Sequence, residues 1–399
     1  MRLAEDRRMH PEARQLIAQH LEGGIGLHRL AVSEAVEPLR AAHDAGVTDV
    51  CIGWQLPNRL LDAVFSWRDN EAADVRLHLW HPLLAGDGVW APGDDGAVGP
   101  RGNVVPPARG MAEFSFACPA RPGVRPAAMQ RLARELDKAD WDGVLLDKIR
   151  WPSPSHDPVE QLACFCDACR QHSAERAGLD LNATAECIRQ LDSTRAGREQ
   201  LLRALFGVHS LPEIDGFLTW RMALIEETVR EAVDLAHRRH LRVGLDVFSP
   251  SLACLVGQPI GALAKLADWT KAMCYVATFA PAGLPYELLG LVQWLEAAGA
   301  TDPLTLIEHA VGFPVPDSQS LRRHGLDVRA LAIEVNRLSD LAGDRAAVGL
   351  EFVEIPGVCE LNDRDLGERA QFVVQAGLPL VISWDLMHVP RRRLPMAGK

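Results

Sequence analysis

Residues 141–172, WDGVLLDKIRWPSPSHDPVEQLACFCDACRQH, decide the predicted fold and carry two candidate sites. The stretch begins with a short apolar run, residues 143–146, that ends on Asp147. A run of this length, flanked by turn-forming residues, is typical of a strand buried in a parallel sheet. Because α/β folds keep their chemistry at the carboxyl ends of such strands, Asp147 is predicted to be a functional residue.

Strand-like and helix-like segments alternate along most of the 399-residue chain, which predicts a parallel sheet. Nine segments have strand character: 25–32, 49–54, 75–81, 143–147, 243–248, 269–276, 304–308, 348–353 and 380–385. Residues 11–22 are predicted to form a short helix before them. A (β/α)8 barrel needs eight strands, so either 25–32 or one late segment must have another structure. The glycines at 23–26 precede the first predicted strand, whereas the phosphate turn of an open sheet follows it, so a closed barrel is favoured.

Two segments interrupt the alternation within what is predicted to be one barrel domain over residues 1–399. Residues 84–125 are rich in Gly and Pro and are predicted to be a long loop on the active-site side, since loops of this length are usually functional or disordered. Residues 158–240 are predicted to be a mainly helical insertion after the fourth strand.

The composition excludes some classes of partner. A formal net charge of -11 argues against nucleic acid, which favours a basic surface. No stretch is long and apolar enough to cross a membrane, and residues 1–14 lack the apolar core of a secretory signal. We therefore expect a cytoplasmic protein, in which clustered cysteines indicate a metal site or packing rather than disulfides. No organic cofactor is expected, and the sequence does not decide whether the protein forms a homo-oligomer.

Five predicted strands share one design, in which several apolar residues are followed by an acid. These acids are Asp147, Asp246, Glu308, Glu351 and Asp385. In a barrel the strand ends surround one opening, and crowding carboxylates there is electrostatically costly, which favours a functional reason. The alternative, expected for one or two of the five, is a structural ion pair with Lys148, Arg150 or Lys271.

Crowded acids suit two kinds of chemistry. Glycosidic bond cleavage needs one protonated and one ionised carboxyl group, and crowding separates their pKa values. Divalent metal binding is the rival, as in a lyase or isomerase acting on a sugar acid or another small polar substrate. A third hypothesis is a barrel that binds carbohydrate without catalysis.

Aromatic residues near predicted strand ends are compatible with a sugar ligand, because indole rings stack on the apolar faces of sugars. The tryptophans concerned are Trp54, Trp80, Trp151 and Trp384. Packing at the barrel edge explains each of them equally well. Tyr275 and His81 have similar positions and are candidates to orient a substrate hydroxyl.

Cys164, Cys166 and Cys169 supply three thiols within six residues. A structural zinc site needs four ligands, and Cys118 from the long loop is the best candidate for the fourth, with His172 as the local alternative. Free, half-buried thiols are the competing interpretation.

The segment GVLLDKIRWPS, residues 143–153, resembles the D-x-I-R-[FW]-P strand end of glycosyl-hydrolase-like barrels. The layout of Cys118 followed by Cys-x-Cys-x-x-Cys is similar to the zinc cluster of the barrel beta-galactosidases. The resemblance implies a (β/α)8 barrel, a carbohydrate substrate and a structural zinc ion held by Cys118, Cys164, Cys166 and Cys169.

The resemblance also implies catalytic roles, with one departure. Those beta-galactosidases carry an Asn-Glu pair at the end of the fourth strand, where this chain has Asp147 and Lys148. Asp147 is the expected acid/base in place of that pair, and Glu351 is the expected nucleophile on a late strand, with Glu308 and Glu354 as the alternatives. Arg150, Asp246 and Asp385 are expected to bind substrate.

Overall fold

The computed structural model describes residues 15–23, 25–85, 95–155 and 157–398. Eight parallel strands form a closed barrel in which each strand pairs with the next and the last pairs with the first. The strands are β1 Leu16–His20, β2 Asp49–Ile52, β3 Arg76–Pro82, β4 Gly143–Asp147, β5 Arg242–Phe248, β6 Trp269–Met273, β7 Ala346–Glu351 and β8 Leu380–Ser383. The predicted (β/α)8 barrel is confirmed.

Helices surround the barrel and fill the connections between its strands. They are α1 Val32–Asp44, α2 Asn58–Glu71, α3 Val124–Leu136, α4 Asp167–Ala177, α5 Leu181–Asp192, α6 Arg195–Leu205, α7 Pro212–His237, α8 Ile260–Leu266, α9 Leu284–Ala297, α10 Pro303–Val311, α11 Ser318–His324, α12 Val328–Ala342 and α13 Asp363–Gln375. After β8, two 3₁₀ turns, Leu386–His388 and Arg391–Met396, contact α1 where an eighth helix would otherwise pack. No helix within the described ranges has both the length and the apolar character needed to span a bilayer.

The strands alternate between two apolar clusters, as the two-residue period of a strand requires. The cluster inside the barrel consists of Ile17, Cys51, Trp54, Trp80, Leu145, Trp269, Ala347 and Val381. The residues between them, such as Leu77 and Leu79 on β3, belong to the larger cluster under the helices. Side chains two residues further along the inner face therefore point toward the carboxyl end of the barrel, which is the barrel mouth. They include Gln19, Asp147, Lys271 and Ser383.

Two predictions near the beginning of the chain are wrong. Residues 16–20 form β1 instead of part of a helix, while residues 11–14 lie outside the described part of the chain. Residues 25–32 form a 3₁₀ turn, Ile25–His28, and the first residue of α1. All five residues of β1 are buried, and a short run buried on both faces has no period that separates a strand from a helix.

The predicted strand at 304–308 is also wrong, because this segment lies within α10. The carboxylate of Asp302 caps this helix by accepting a hydrogen bond from the Thr305 N–H group, and Pro303 occupies its first turn. The correction removes Glu308 from the ring of strand-end acids.

The helical insertion after the fourth strand is present as α4 to α7. The last of these, α7, packs against β5 and between α3 and α8, so it is the barrel's own helix and the added part is α4 to α6. Residues 95–123 of the predicted loop carry 3₁₀ turns and isolated bridges such as Gly96 with Ala117. Residues 86–94 of that loop lie outside the described ranges.

Candidate active site at the barrel mouth

A cavity of about 250 Å³ lies at the barrel mouth. Residues from the ends of several strands form its floor, and the loop 95–123 supplies Arg109, Glu113 and Phe114 to its wall. The polar and charged residues closest in sequence to the strand ends are Gln19, Glu22, Asp147, Lys148, Arg150 and Asp246. The cavity therefore contains the convergent polar groups that mark a ligand site in an otherwise apolar pocket.

Asp147 ends β4 and is held by two N–H donors. One carboxylate oxygen accepts a hydrogen bond from the Trp80 indole N–H at 3.0 Å, and the other accepts one from the Lys148 backbone N–H. Lys148 has a φ of 51°, in the left-handed region that costs a residue with a side chain about 1–2 kcal/mol. Backbone in such regions clusters at functional sites, and here the turn brings the N–H group onto the Asp147 carboxylate.

Asp246 on β5 belongs to a buried network inside the barrel. The Lys271 ammonium donates to Asp246 Oδ2 at 2.8 Å, to Gln19 Oε1 at 2.6 Å and to the Tyr275 hydroxyl at 2.8 Å. These three bonds use all of its donors. Asp246 Oδ1 is buried and has no hydrogen-bond partner in the described part of the protein, so this oxygen is free to accept a bond from a ligand in the cavity.

Opposing effects act on the ionisation of this pair. Burial raises the pKa of Asp246 to about 7, with help from the negative charge of Asp147, while Lys271 lowers it. Burial would lower the pKa of Lys271, but Asp246 and Tyr275 raise it above its usual range. Lys271 therefore stays charged at neutral pH.

Glu22, two residues after β1, is a cavity residue that the sequence analysis missed. Burial raises the pKa of its carboxyl to about 7; Asp385, Glu113 and Asp147 raise it further, and Lys148 lowers it. Its carboxyl is partly exposed and has no hydrogen-bond partner among the described residues. A strand assignment at 16–20 would have placed Glu22 at a strand end beside the other acids.

Six of the predicted site residues line the cavity. They are Trp80, Asp147, Arg150, Asp246, Tyr275 and Trp384. Asp147 and Asp246 come from adjacent strands, and Trp384 directly follows β8. Of the acids predicted to share the mouth, the structure thus brings two into the cavity.

The other three predicted acids do not line the cavity. Glu351 ends β7 as predicted, but its carboxylate accepts a hydrogen bond from the Ala277 N–H group and lies 3.6 Å from Arg369. Asp385 accepts from the N–H groups of Leu21 at 3.1 Å and Glu22 at 3.0 Å, which ties β8 to the end of β1. Glu308 lies on α10, and its carboxylate accepts a hydrogen bond from the Val315 N–H group at 2.9 Å.

Three aromatic or imidazole side chains predicted at the site are buried elsewhere. His81 follows the inward-facing Trp80 on β3 and therefore faces the helix layer, where burial lowers its pKa. Trp54 lies inside the barrel with its ring 5.6 Å from Trp80. Trp151 is fully buried, and its indole N–H donates to the backbone carbonyl of Arg221. None of these three side chains lines the cavity, so their predicted contact with a substrate has no support in its lining.

The four cysteines form one buried cluster beside the barrel. Their sulfur atoms all lie within 4.8 Å of one another, with Cys118 3.3 Å from Cys169 and 3.7 Å from Cys166. Tetrahedral zinc with Zn–S bonds of about 2.3 Å separates its sulfurs by roughly 3.8 Å, so the arrangement fits that ion. His172 is not part of the cluster, because its Nδ1 accepts from the Trp220 indole N–H at 3.0 Å. Burial raises the pKa of the Cys118 and Cys169 thiols, and hydrogen bonds from its three neighbours, Cys118 first, lower that of Cys166.

No family model and no curated protein matches this chain. Solved structures do. The beta-galactosidase of the psychrophile Marinomonas ef1 is 11% identical and has a TM-score of 0.57, with 96% of this chain and 59% of that one covered. Alpha-L-fucosidase isoenzyme 2 of Paenibacillus thiaminolyticus is 13% identical with a TM-score of 0.50, over 96% and 48% of the two chains. The glycoside hydrolase domain of PgaB (BpsB) from Bordetella bronchiseptica is 13% identical, with a TM-score of 0.48 and 94% of both chains covered.

The fold is that of barrel glycoside hydrolases. At these identities the likeness concerns the fold alone, and this chain spans only about half of the beta-galactosidase and the fucosidase. The activity must therefore be argued from the cavity.

Proposed function

We propose that this protein hydrolyses a glycosidic bond in the cavity at the barrel mouth. The observation that carries the proposal is that Glu22, Asp147 and Asp246 line one cavity in three different environments. Glycoside hydrolysis needs two carboxyl groups in different protonation states, and different environments produce that difference.

Glu22 is the proposed proton donor. A carboxyl with a pKa of about 7 is protonated in a large fraction of molecules at neutral pH, and an acid poised near the working pH is the most effective general acid. Its partial exposure within the cavity lets it reach a leaving oxygen.

Asp147 is the proposed nucleophile or base, which revises the acid/base role expected for it. Its two N–H donors stabilise the ionised carboxylate and fix its orientation. The free oxygen of Asp246 is positioned to accept a bond from a sugar hydroxyl, and the partly exposed Trp384 offers a ring face for stacking. The role of nucleophile expected for Glu351 finds no support in its position outside the cavity.

The geometry favours hydrolysis over the metal-dependent alternative. Within the described ranges, the four cysteines are the one group of three or more potential ligand side chains close enough to hold an ion. The carboxylates of the mouth do not form such a group, and a lysine ammonium already occupies the cation position beside Asp246.

The cysteine cluster is proposed to hold a structural zinc ion. Cys118 lies in the long loop, and Cys164, Cys166 and Cys169 follow β4, so the ion would join the loop to the chain beyond that strand. Four thiol ligands make a closed site with no open coordination position, which is the pattern of a structural rather than a catalytic zinc. Because such thiols must stay reduced to bind zinc, we propose the cytoplasm as the compartment.

A panel of aryl α- and β-glycosides tests the activity. We expect the wild type to hydrolyse at least one of them and Asp147→Asn to lose that activity, whereas Glu308→Gln, altered outside the cavity, should keep it. NMR of the first product tells retention from inversion, and so whether Asp147 acts as nucleophile or as base. Sugar binding without turnover by the wild type would instead indicate a non-catalytic carbohydrate-binding barrel.

A further inference from the structure

We infer that the sugar bound in this cavity carries an anionic oxygen group, a carboxylate or a sulfate ester, that Lys148 and Arg150 recognise. The inference rests on the proposed function, because it specifies the substrate of that same site. It begins from two cations that line the cavity directly after Asp147, neither of which forms an ion pair with a described residue.

Lys148 is held at the cavity wall with most of its hydrogen-bonding capacity unused. The side chain is 5% exposed, and its ammonium lies 5.4 Å from the centre of the Trp54 ring and 5.2 Å from that of Phe114. Within the described ranges, its one hydrogen-bond acceptor is the backbone carbonyl of Glu113, at 3.2 Å. An ammonium has three donors, so two remain for a ligand.

Arg150 is also buried against two aromatic rings. Its guanidinium carbon lies 4.4 Å from the centre of the Phe116 ring and 4.5 Å from that of the Phe248 ring, and only 3% of the residue is exposed. One nitrogen donates to the Trp151 carbonyl at 3.0 Å, while Nε is buried and has no hydrogen-bond partner in the part of the chain that the structure describes. A ligand would meet the N–H groups at the edge of the guanidinium plane, and that edge matches the oxygens of a carboxylate or sulfate.

No carboxylate among the described residues forms an ion pair with Lys148 or Arg150, although Glu22 acts electrostatically on Lys148, and Glu287 acts on Arg150. Asp246 already has Lys271, and Asp147 is satisfied by the indole of Trp80 and by a backbone N–H group. Taking a cation out of water costs several kcal/mol unless a partner offsets it. Burial lowers the pKa of Arg150 to about 10, while Glu287, Asp147 and Asp246 oppose the shift, so the guanidinium is still charged at neutral pH although none of these carboxylates is hydrogen-bonded to it.

Basic residues continue from the cavity along the rim. Arg109 lies over the Tyr286 ring at 4.5 Å, and Arg322 lies over the neighbouring Phe279 ring at 5.0 Å. Arg322, with Arg323 and His324 at the end of α11, lines a groove that shares Val358 with the cavity. Glu360 and Asp365 also line this groove, so the further cationic contacts for an anionic glycan come from Arg109, Arg322 and Arg323.

Matched substrates test the inference separately from the proposed function. p-Nitrophenyl glucuronides and galacturonides of both anomers are compared with the corresponding glucosides and galactosides, and with their 6-sulfates. We expect kcat/KM to be at least about tenfold higher for an anionic member of a matched set, corresponding to 1.4 kcal/mol, and to fall with added salt. A preference for the glucuronides and galacturonides would identify the anionic group as a carboxylate, and a preference for the 6-sulfates would identify it as a sulfate ester.

A preference for the neutral sugar would overturn the inference while leaving hydrolysis established. If no glycoside is cleaved, calorimetric titration with glucuronate, glucose 6-sulfate and glucose measures whether the site binds an anionic sugar more tightly than a neutral one. Tighter binding of either anion supports the inference although the proposed function fails, and equal or tighter binding of glucose overturns it.

Variants assign the recognition to the two residues. Lys148→Met and Arg150→Gln should each lower the ratio of anionic to neutral kcat/KM about tenfold, whereas Lys148→Arg should keep it. Lys265→Met, on the exposed side of α8, is the matched control and should leave the ratio unchanged. Far-UV circular dichroism checks that each variant folds. If Arg150→Gln does not fold, Lys148→Met alone tests the inference. An unchanged ratio of anionic to neutral kcat/KM in Lys148→Met contradicts the inference.

Discussion

Lys271 Nζ lies 2.8 Å from Asp246 Oδ2 inside the barrel, and both side chains are at most 2% exposed. The two residues are register partners across β5 and β6, so the pairing follows from the sheet itself. Lys271 holds one oxygen of Asp246, the other has no hydrogen-bond partner among the described residues, and Asp246 lines the cavity. The contact is thus both a structural ion pair and the support of a proposed substrate contact.

Replacing the lysine of this pair should be costly to stability. Lys271→Met leaves a buried carboxylate without its cation, so we expect the free energy of unfolding to fall by about 3–5 kcal/mol. Urea denaturation at neutral pH measures the change, with Lys265→Met as the exposed control. The double variant Lys271→Met, Asp246→Asn should lose less than the single one, and a larger loss would mean that the two charges do not stabilise each other.

Glu22 should determine the alkaline limit of activity. Its acid form disappears above a pKa of about 7, so the rate on a glycoside with a poor leaving group should fall as pH rises through 7. Glu22→Gln should lower that rate about 10²–10⁴-fold and remove the decline, as a pH–rate profile would show. A decline that persists in the variant would assign the proton donor to another group.

The same carboxyl should influence stability with a defined sign. Its folded pKa of about 7 lies above the ordinary 4.5, so the folded protein binds more protons between these values and loses stability as pH rises through them. Glu22→Gln removes that loss, so its stability relative to wild type should be higher at pH 8 than at pH 4. Thermal unfolding across this range measures the difference, and a difference that does not change with pH would contradict it.

The cysteine cluster should bind one zinc ion per chain. Cys169→Ser removes one of four ligands, and we expect loss of stoichiometric zinc together with a lower unfolding temperature. Cys187→Ser, outside the cluster, is the matched control. Elemental analysis of both proteins gives the result, and wild type without zinc after growth in zinc-containing medium would contradict the proposal.

Glu351 was expected to be the nucleophile, but its position supports a structural role. Glu351→Gln alters a carboxylate held by Ala277 and Arg369 outside the cavity, so we expect stability to fall by about 1–3 kcal/mol while kcat/KM stays close to wild type. Parallel denaturation and kinetic measurements show which changes. A loss of activity as large as that of Asp147→Asn would return Glu351 to the catalytic pair.

The parts of the fold with a strong local signal were predictable. The apolar run before Asp147 predicted a strand that ends at this residue, and Cys118 on the long loop was correctly predicted to join the cysteine cluster. At the beginning of the chain the local signal is weak, because β1 is buried on both faces and has no period, so neither this strand nor the position of Glu22 beyond it was predicted.

The other errors concern the orientation of side chains and a helix start. The prediction that both Trp80 and His81 face a ligand ignores alternation, since a one-residue shift exchanges the two faces of a strand. Glu308 was misplaced although Asp302 and Pro303 form a helix start that the sequence displays. The position of Glu351 at a strand end was correct, but its orientation depends on Ala277 and Arg369, which no local pattern reveals.

Hydrolysis of aryl glycosides by the wild type and by Asp147→Asn is the most direct test of the account. We predict that the wild type cleaves a glycoside and that the variant, folded and with its Trp80 contact still possible through the amide oxygen, loses the activity. Undiminished cleavage by Asp147→Asn would contradict the assignment of the reaction to the carboxylates of the barrel mouth.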